Sequence, residues 1–96
     1  TQGNFRENLT RFTGGIPANA QAHHVFPQQF SGAFSAAGLN IHNPAFGAWW
    51  AAGAHQQFAA EYNAAWESFL ISSPSASQML QFGRDIAARY GLSIGF

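Results

Sequence analysis

The feature that most constrains the fold is a stripe of aromatic residues in the second half of the chain. Phe58, Tyr62, Trp66 and Phe69 recur at helical spacing, and His55 stands at the N-terminal end of the same stripe. The spacing predicts one long helix with this face buried and His55 pointing inward. Because 96 residues can bury only one modest core, we expect a single domain over 1–96.

Three further helices are predicted from shorter apolar repeats, each followed by glycine. They are "NFRENLTRF" before Gly14, "PQQFSGAFSAA" before Gly38, and the stretch that starts near Ser73-Pro74-Ser75 and stops at Gly91. Pro27 is expected at the first position of the second of these helices, where its missing N–H costs nothing. A serine of the stretch Ser73-Pro74-Ser75 is expected to cap the last helix.

Two short strands are predicted between these helices. "AHHVF" combines β-branched and aromatic residues just before Pro27, which favours an extended backbone. The run from Phe46 to Trp50 predicts a second strand, after the turn signal of Asn43 and Pro44. Paired as a hairpin or ribbon, the two strands and the helices predict a small α+β fold.

Charge is scarce, and this excludes one common way of binding nucleic acid. Only 8% of residues are charged, the net charge is zero, and the four cations are all arginine. Proteins that bind nucleic acid through many phosphate contacts carry a basic surface, which this chain lacks. The chain also has no cysteine, so neither disulfides nor a cysteine zinc site can stabilise it. Histidine is therefore the main candidate metal ligand.

All four histidines, His23, His24, His42 and His55, lie within one third of the chain. Neighbours on a strand point to opposite sides, so His23 and His24 are poorly placed to chelate one ion together, although they can flank one phosphate. Phosphodiester hydrolysis needs a base for the attacking water and a cation for the developing charge. A neutral imidazole can be the base, and others can hold the ion.

Longer stretches around these histidines resemble a known family of nucleases. "AHHVFPQQF", "GLNIHNPAFGAWW" and "HQQFAAEYNAAWESFL" are similar to the HNH, or His-Me finger, nucleases. The likeness is to the AHH-type toxin domains at the C-termini of Rhs and other bacterial polymorphic toxins, and it runs from about Phe5 to about Leu92. It implies a ββα-metal core in which His23 and His55 are metal ligands and His24 is the general base.

The family pattern also has a middle asparagine, and Asn43 is the residue that we assign to it. The position before Gly47, often asparagine in such domains, is Phe46 here. His42 or Asn63 could instead orient the base or complete the metal shell. A structural role for His42 in the turn remains an equal alternative.

The resemblance implies a DNA endonuclease toxin that uses one divalent cation, Mg²⁺ first and Zn²⁺ or Ni²⁺ as alternatives. Arg6 and Arg11 are the candidate phosphate contacts. We expect a monomeric domain at the C-terminus of a larger toxin, delivered into the target-cell cytoplasm, with a cognate immunity protein and no membrane span. Two alternatives stay open, namely a ribonuclease with the same site and a catalytically silent interaction domain.

Four large aromatic residues, Trp49, Trp50, Tyr62 and Trp66, admit two interpretations. Aromatic side chains can stack on unpaired bases, as in proteins that bind single strands. They can equally fill a small core, and core packing is the expectation that we favour.

Overall fold

The computed structural model describes residues 4–96. Its elements are, in order, α1 (Phe5–Thr13), β1 (Ala20–His24), α2 (Ser31–Ala36), β2 (Gly47–Ala51), α3 (Ala52–Leu70) and α4 (Ala76–Arg89). Single turns of 3₁₀ helix precede α2 and β2, at Gln28–Phe30 and Pro44–Phe46. The described residues thus form an α+β fold, as the sequence predicts. None of their helices has the length and apolar character needed to cross a bilayer.

The two strands pair antiparallel as a ribbon, which confirms the predicted pairing. Ala20 lies opposite Ala51 at one end, and His24 lies opposite Gly47 at the other. Residues 25–46, including α2, connect the strands, so the ribbon has no tight hairpin turn. β2 passes into α3 without an intervening loop. β1, β2 and α3 therefore form one structural unit around His23 and His24.

The core is built on the aromatic stripe of α3. Tyr62 and Trp66 have no exposed surface, and Trp50 is 4% exposed, so three of the four large aromatic residues considered above are core residues. Phe26 and Phe34 pack on Trp66, with ring centres 5.5 and 5.1 Å away. The Tyr62 hydroxyl donates a hydrogen bond of 2.6 Å to the Val25 carbonyl. This bond ties α3 to the backbone just beyond His24.

The ends of the helices largely follow their sequence signals. Gly14 ends α1 in a left-handed conformation (φ 88°). The Ser75 hydroxyl accepts a hydrogen bond from the Gln78 N–H, and the Gln78 side chain accepts one from the Ser75 N–H. Ser75 therefore caps α4 through this reciprocal pair, and the predicted serine cap is confirmed. The long helix begins at Ala52, one turn before His55.

The second helix differs from its prediction. Pro27 is extended (φ −60°, ψ 138°) and lies outside the helical residues. A 3₁₀ turn follows, and Phe30 breaks the helical geometry before α2 begins (φ −111°). The expected continuous helix from Pro27 was therefore wrong at its start. The 3₁₀ turn places Gln28 beside His24. α2 buries Phe34 in the core.

Gly47 lets α1 approach the sheet closely. A Cβ atom at this position would lie 2.7 Å from Cζ of Phe5 and 3.1 Å from Cδ1 of Leu9. We expect Gly47→Ala to lower the free energy of unfolding by about 1–3 kcal/mol, because α1 must shift to admit the methyl group. Urea unfolding followed by circular dichroism measures the change.

Gly53 provides the matched control for this substitution. A Cβ atom at Gly53, in the first turn of α3, meets nothing within 4 Å. Gly53→Ala is expected to stabilise the protein by up to about 1 kcal/mol, because alanine is the better helix former. Equal unfolding midpoints for the two variants would show that α1 does not pack against the sheet as described.

Candidate functional site

The four histidines gather around β1 as two ring pairs. The ring centres of His23 and His55 are 5.4 Å apart, and those of His24 and His42 are 5.1 Å apart. Because neighbouring strand residues point to opposite faces, His23 and His24 belong to different pairs. β1 supplies one member of each pair, α3 supplies His55, and the segment after α2 supplies His42.

His23 is held rigidly by the aromatic core. It is 7% exposed, and its ring meets Trp50 and Tyr62 edge to face, with centres 4.8 and 4.6 Å away. Its Nε2 atom is buried and has no hydrogen-bond partner among residues 4–96. An unpaired buried nitrogen is costly, so Nε2 of His23 is a candidate metal-binding atom.

The surroundings of His23 keep its imidazole neutral. Burial, and then the neighbouring His55 and His24, lower the pKa of His23 from 6.5 to about 3. A neutral imidazole presents a lone pair on one ring nitrogen, which is the form that binds a metal. His23 therefore has the protonation state of a ligand at neutral pH.

A cleft of about 270 Å³ brings the candidate ligands together. His23, His24, His55 and Asn63 all contribute to its lining. Two imidazoles bound to one ion at metal–nitrogen distances of about 2.1 Å have ring centres roughly 5 Å apart, and the His23–His55 distance of 5.4 Å fits this geometry. No group of three or more His, Cys, Asp or Glu residues within 4–96 is placed to share an ion. The ligand set on offer is therefore two imidazoles and the Asn63 amide.

His24 has a different environment from His23. Its ring stacks on Phe5, with centres 3.7 Å apart and planes inclined by 14°. Nε2 of His24 is 3.0 Å from Nδ1 of His42, and Nδ1 of His24 is 3.2 Å from the Gln28 amide nitrogen. Burial, and then the neighbouring His42, lower the pKa of His24 to about 4. The ring is thus neutral near pH 7, as a general base must be.

The remaining candidates fall in different places. Asn43 caps the turn before β2, where its side-chain oxygen accepts the Ala45 N–H at 2.9 Å, while His42 is the residue that contacts His24. Arg6 lines a second cleft of about 350 Å³, which also includes His24. Its guanidinium lies 5.9 Å from the centre of the Trp49 ring. Arg11 forms an exposed ion pair with Glu7, at 3.0 Å.

Two residues of the site escaped the sequence analysis, Phe5 and Gln28. Phe5 belongs to the apolar stripe of α1, and that stripe predicts burial without indicating a histidine as the neighbour. Gln28 lies four residues after His24 and lines both clefts. The spacing from His24 was the available signal, but an isolated glutamine beside a proline has no distinctive pattern.

Comparisons with known proteins add no assignment to this geometry. A scan against protein-family models, a search of curated proteins and a search of solved structures each found no match.

Proposed function

We propose that the domain is a metal-dependent endonuclease that hydrolyses DNA phosphodiester bonds through a ββα-metal site. The observation that carries this proposal is the unpartnered Nε2 of His23, a residue that lines one cleft together with His55, Asn63 and the neutral imidazole of His24. A candidate metal-binding nitrogen and a candidate base beside it would supply the cation and the base that phosphodiester hydrolysis requires.

The connectivity supports the same proposal. β1, β2 and α3 supply the two antiparallel strands and the following helix of such a core. His23 comes from the first strand, and His55 comes from the first turns of the helix. Residues on regular elements packed against a core are held more precisely than residues on loops. The resemblance of "AHHVFPQQF" and "HQQFAAEYNAAWESFL" to His-Me finger nucleases assigns the same residues to the same roles.

Each side chain has one task in the proposed reaction. His24 accepts a proton from the attacking water as the water oxygen bonds to phosphorus. The bond between phosphorus and the departing alkoxide breaks, and the alkoxide takes a proton from solvent. His42 holds Nε2 of His24 and so keeps the ring oriented. Phe5 covers the ring face and excludes water from it.

His23, His55 and Asn63 would hold the divalent cation. When bound there, the cation would stabilise the negative charge that develops on the phosphate and the departing oxygen. Mg²⁺ prefers oxygen ligands, whereas imidazoles also suit Zn²⁺ and Ni²⁺. Mg²⁺ is the ion that the resemblance implies for cleavage, and Zn²⁺ and Ni²⁺, which the two imidazoles suit, are the alternative occupants.

The biological role that we propose rests on the resemblance. AHH-type domains of this kind are toxins, so the domain would act as a delivered effector in the target-cell cytoplasm. Its producer would then need a cognate immunity protein. The zero net charge leaves the charge of that protein's binding surface open.

Plasmid cleavage tests the proposal. The purified domain is incubated with supercoiled DNA and with structured RNA, each with Mg²⁺ and with a chelator. Nicking and linearisation of DNA that require Mg²⁺ are expected. Cleavage of RNA alone would assign the site to a ribonuclease, and equal rates with chelator would exclude a metal-dependent reaction.

Arg6 and Arg11 are expected to differ in their contributions to DNA binding. Arg6 lines the cleft beside His24, whereas Arg11 is paired with Glu7 on the outer surface of the same helix. Each phosphate neutralised on duplex DNA steepens the logarithmic salt dependence of binding by about 0.9. Arg6→Ala should weaken binding and reduce this slope by about 1, while Arg11→Ala should change it little.

This difference is measured by fluorescence anisotropy with a labelled duplex across a salt series, in a His24→Ala background that prevents cleavage. With four arginines and no lysine, the parent slope should correspond to about two to four contacts. Equal slope changes for the two variants would place the phosphate contacts elsewhere. A parent slope near −8 would show that the surface binds DNA in a different way.

A further inference from the structure

Trp49 differs from the other large aromatic residues near the site because it is not a core residue. Its side chain is half-buried, whereas Trp50, Tyr62 and Trp66 are buried. Its indole N–H donates a hydrogen bond of 2.9 Å to the Thr13 hydroxyl, at the end of α1. This bond fixes the orientation of a ring that is still partly open to solvent.

The strand register places Trp49 close to His24, on the same face of the ribbon. Trp49 lies opposite Ala22, and His24 follows two residues after Ala22 on β1. Residues two apart on a strand share a face, and diagonal neighbours across a strand pair are about 7–8 Å apart. One nucleotide of an extended strand spans such a distance. Trp49 is therefore placed to contact the base next to a phosphate that lies at His24.

Arg6 connects the Trp49 ring to the cleft beside His24. Its guanidinium lies 5.9 Å from the centre of the ring, and Arg6 lines the cleft of about 350 Å³ together with His24, Ala20 and Ala22. Arg6 is exposed, so its guanidinium can turn from the ring to a phosphate and leave the ring face to a base. An exposed cation–π contact is weaker than a base stacked on an aromatic ring, which favours this exchange.

The scarcity of positive charge favours an unpaired strand over a duplex at this surface. The chain has four arginines and no lysine, and Arg11 is paired with Glu7. Duplex binding depends strongly on phosphate contacts, and these need cations. Stacking of an unpaired base adds affinity without any charge, and an arginine beside an aromatic ring is typical of surfaces that bind single strands.

We propose that Trp49 and Arg6 bind one nucleotide of an unpaired DNA strand, with its base stacked on the indole and its phosphate on the guanidinium. The inference rests on the proposed nuclease function and names its substrate as DNA that is single-stranded, or locally unpaired, at the point of cleavage. Supercoiled plasmid DNA contains such unpaired regions, so the nicking of plasmid expected above agrees with this substrate.

Trp49→Leu is the decisive variant, because leucine keeps an apolar side chain against α1 and removes the aromatic face. Trp49→Phe retains a ring and should restore most of the binding. Phe12→Leu is the matched control. Phe12 is an aromatic residue of α1 that is 53% exposed, and its ring lies beside Gly95 and does not line the cleft that contains Arg6.

The first readout is fluorescence anisotropy with a labelled oligothymidine strand and with a blunt duplex of the same length, in the presence of chelator so that neither DNA is cut. The parent should bind the single strand more tightly than the duplex. Trp49→Leu should weaken binding of the single strand about tenfold, within the range for the loss of one stacked base. Trp49→Phe should weaken it less, and Phe12→Leu should leave it unchanged. Circular dichroism checks that each variant folds.

The second readout is tryptophan fluorescence, which a purely structural role of Trp49 would not change on addition of DNA. The oligothymidine strand should quench the emission of the parent, because a stacked base quenches an indole and both Trp50 and Trp66 are buried. Trp49→Phe should bind the strand with little quenching.

The two readouts separate the inference from the function on which it rests. A folded Trp49→Leu protein with the affinity of the parent would overturn the inference, even if the parent cleaves plasmid DNA. Equal losses in Trp49→Leu and Phe12→Leu, or tighter binding of the duplex or of oligouridine than of oligothymidine, would overturn it as well. A parent that binds the strand through Trp49 but cleaves no DNA with Mg²⁺ would reject the nuclease proposal and still support the stacking of a base on Trp49.

Discussion

Replacing His24 with alanine is expected to abolish DNA cleavage, with a loss in kcat of about 10²–10⁴-fold. The reason is that His24 is the neutral imidazole that lines both clefts and is proposed as the base, while His23 lies in the other ring pair. Metal affinity should stay close to that of the parent, because His24 is not in the proposed ligand set. Plasmid cleavage and calorimetric titration with Zn²⁺ measure the two properties separately.

His42→Ala is a comparison variant with a smaller expected loss of kcat. It keeps the base and removes the contact that orients it, so its loss of kcat should be smaller than that of His24→Ala. Circular dichroism checks that both variants fold, since His24→Ala also loses a ring stack with Phe5 worth about 0.5–1.5 kcal/mol. A His24→Ala protein that folds but loses metal affinity would make His24 a ligand and contradict its assignment as base.

The second large effect is expected for His55→Ala, in metal binding and activity together. His55 is half-buried beside His23 and is proposed to hold the same ion. Its removal should weaken Zn²⁺ binding by at least about tenfold, which corresponds to 1.4 kcal/mol, and should abolish cleavage with Mg²⁺. Calorimetry and plasmid cleavage on the same preparation measure both losses.

Gln56→Ala is the control for this substitution. Gln56 is the next residue on α3 and is exposed, so its loss should leave affinity and cleavage unchanged. His55 is also a better residue to substitute than His23, because it is only partly buried whereas His23 is buried. Full Zn²⁺ affinity in a folded His55→Ala protein would show that His55 is not a ligand of the ion.

The fold was predictable where one physical signal dominated. The stripe from Phe58 to Phe69 predicted the long helix because only a helix brings those rings onto one face. The serines on either side of Pro74 predicted the start of α4 because a capping hydroxyl satisfies a free backbone N–H, and in the structure Ser75 is the one that does so. The start of the second helix was not predictable, because Pro27 is equally compatible with a first helical position and with an extended residue.

The candidate site was predictable at the level of residue type and less so at the level of contacts. Four histidines in a chain with few other ionisable groups pointed to one site, and the structure brings them together in two pairs. The Asn43 side chain caps a turn instead, a role that any asparagine before proline can take. The hydrogen bond of Gln28 depends on the turn that folds residue 28 back over His24, and no local pattern encodes that turn.

Because α1 packs against His24, the environment of this ring depends on a helix that is too short to be stable by itself. α1 has nine residues, and isolated helices shorter than about 12–15 residues are marginal in water. Its formation and its docking through Phe5 and Leu9 are therefore a single cooperative event. Undocking would uncover one face of the His24 ring and admit water to it. Detachment of α1 would therefore change the solvent exposure of His24 without altering any of the four histidines.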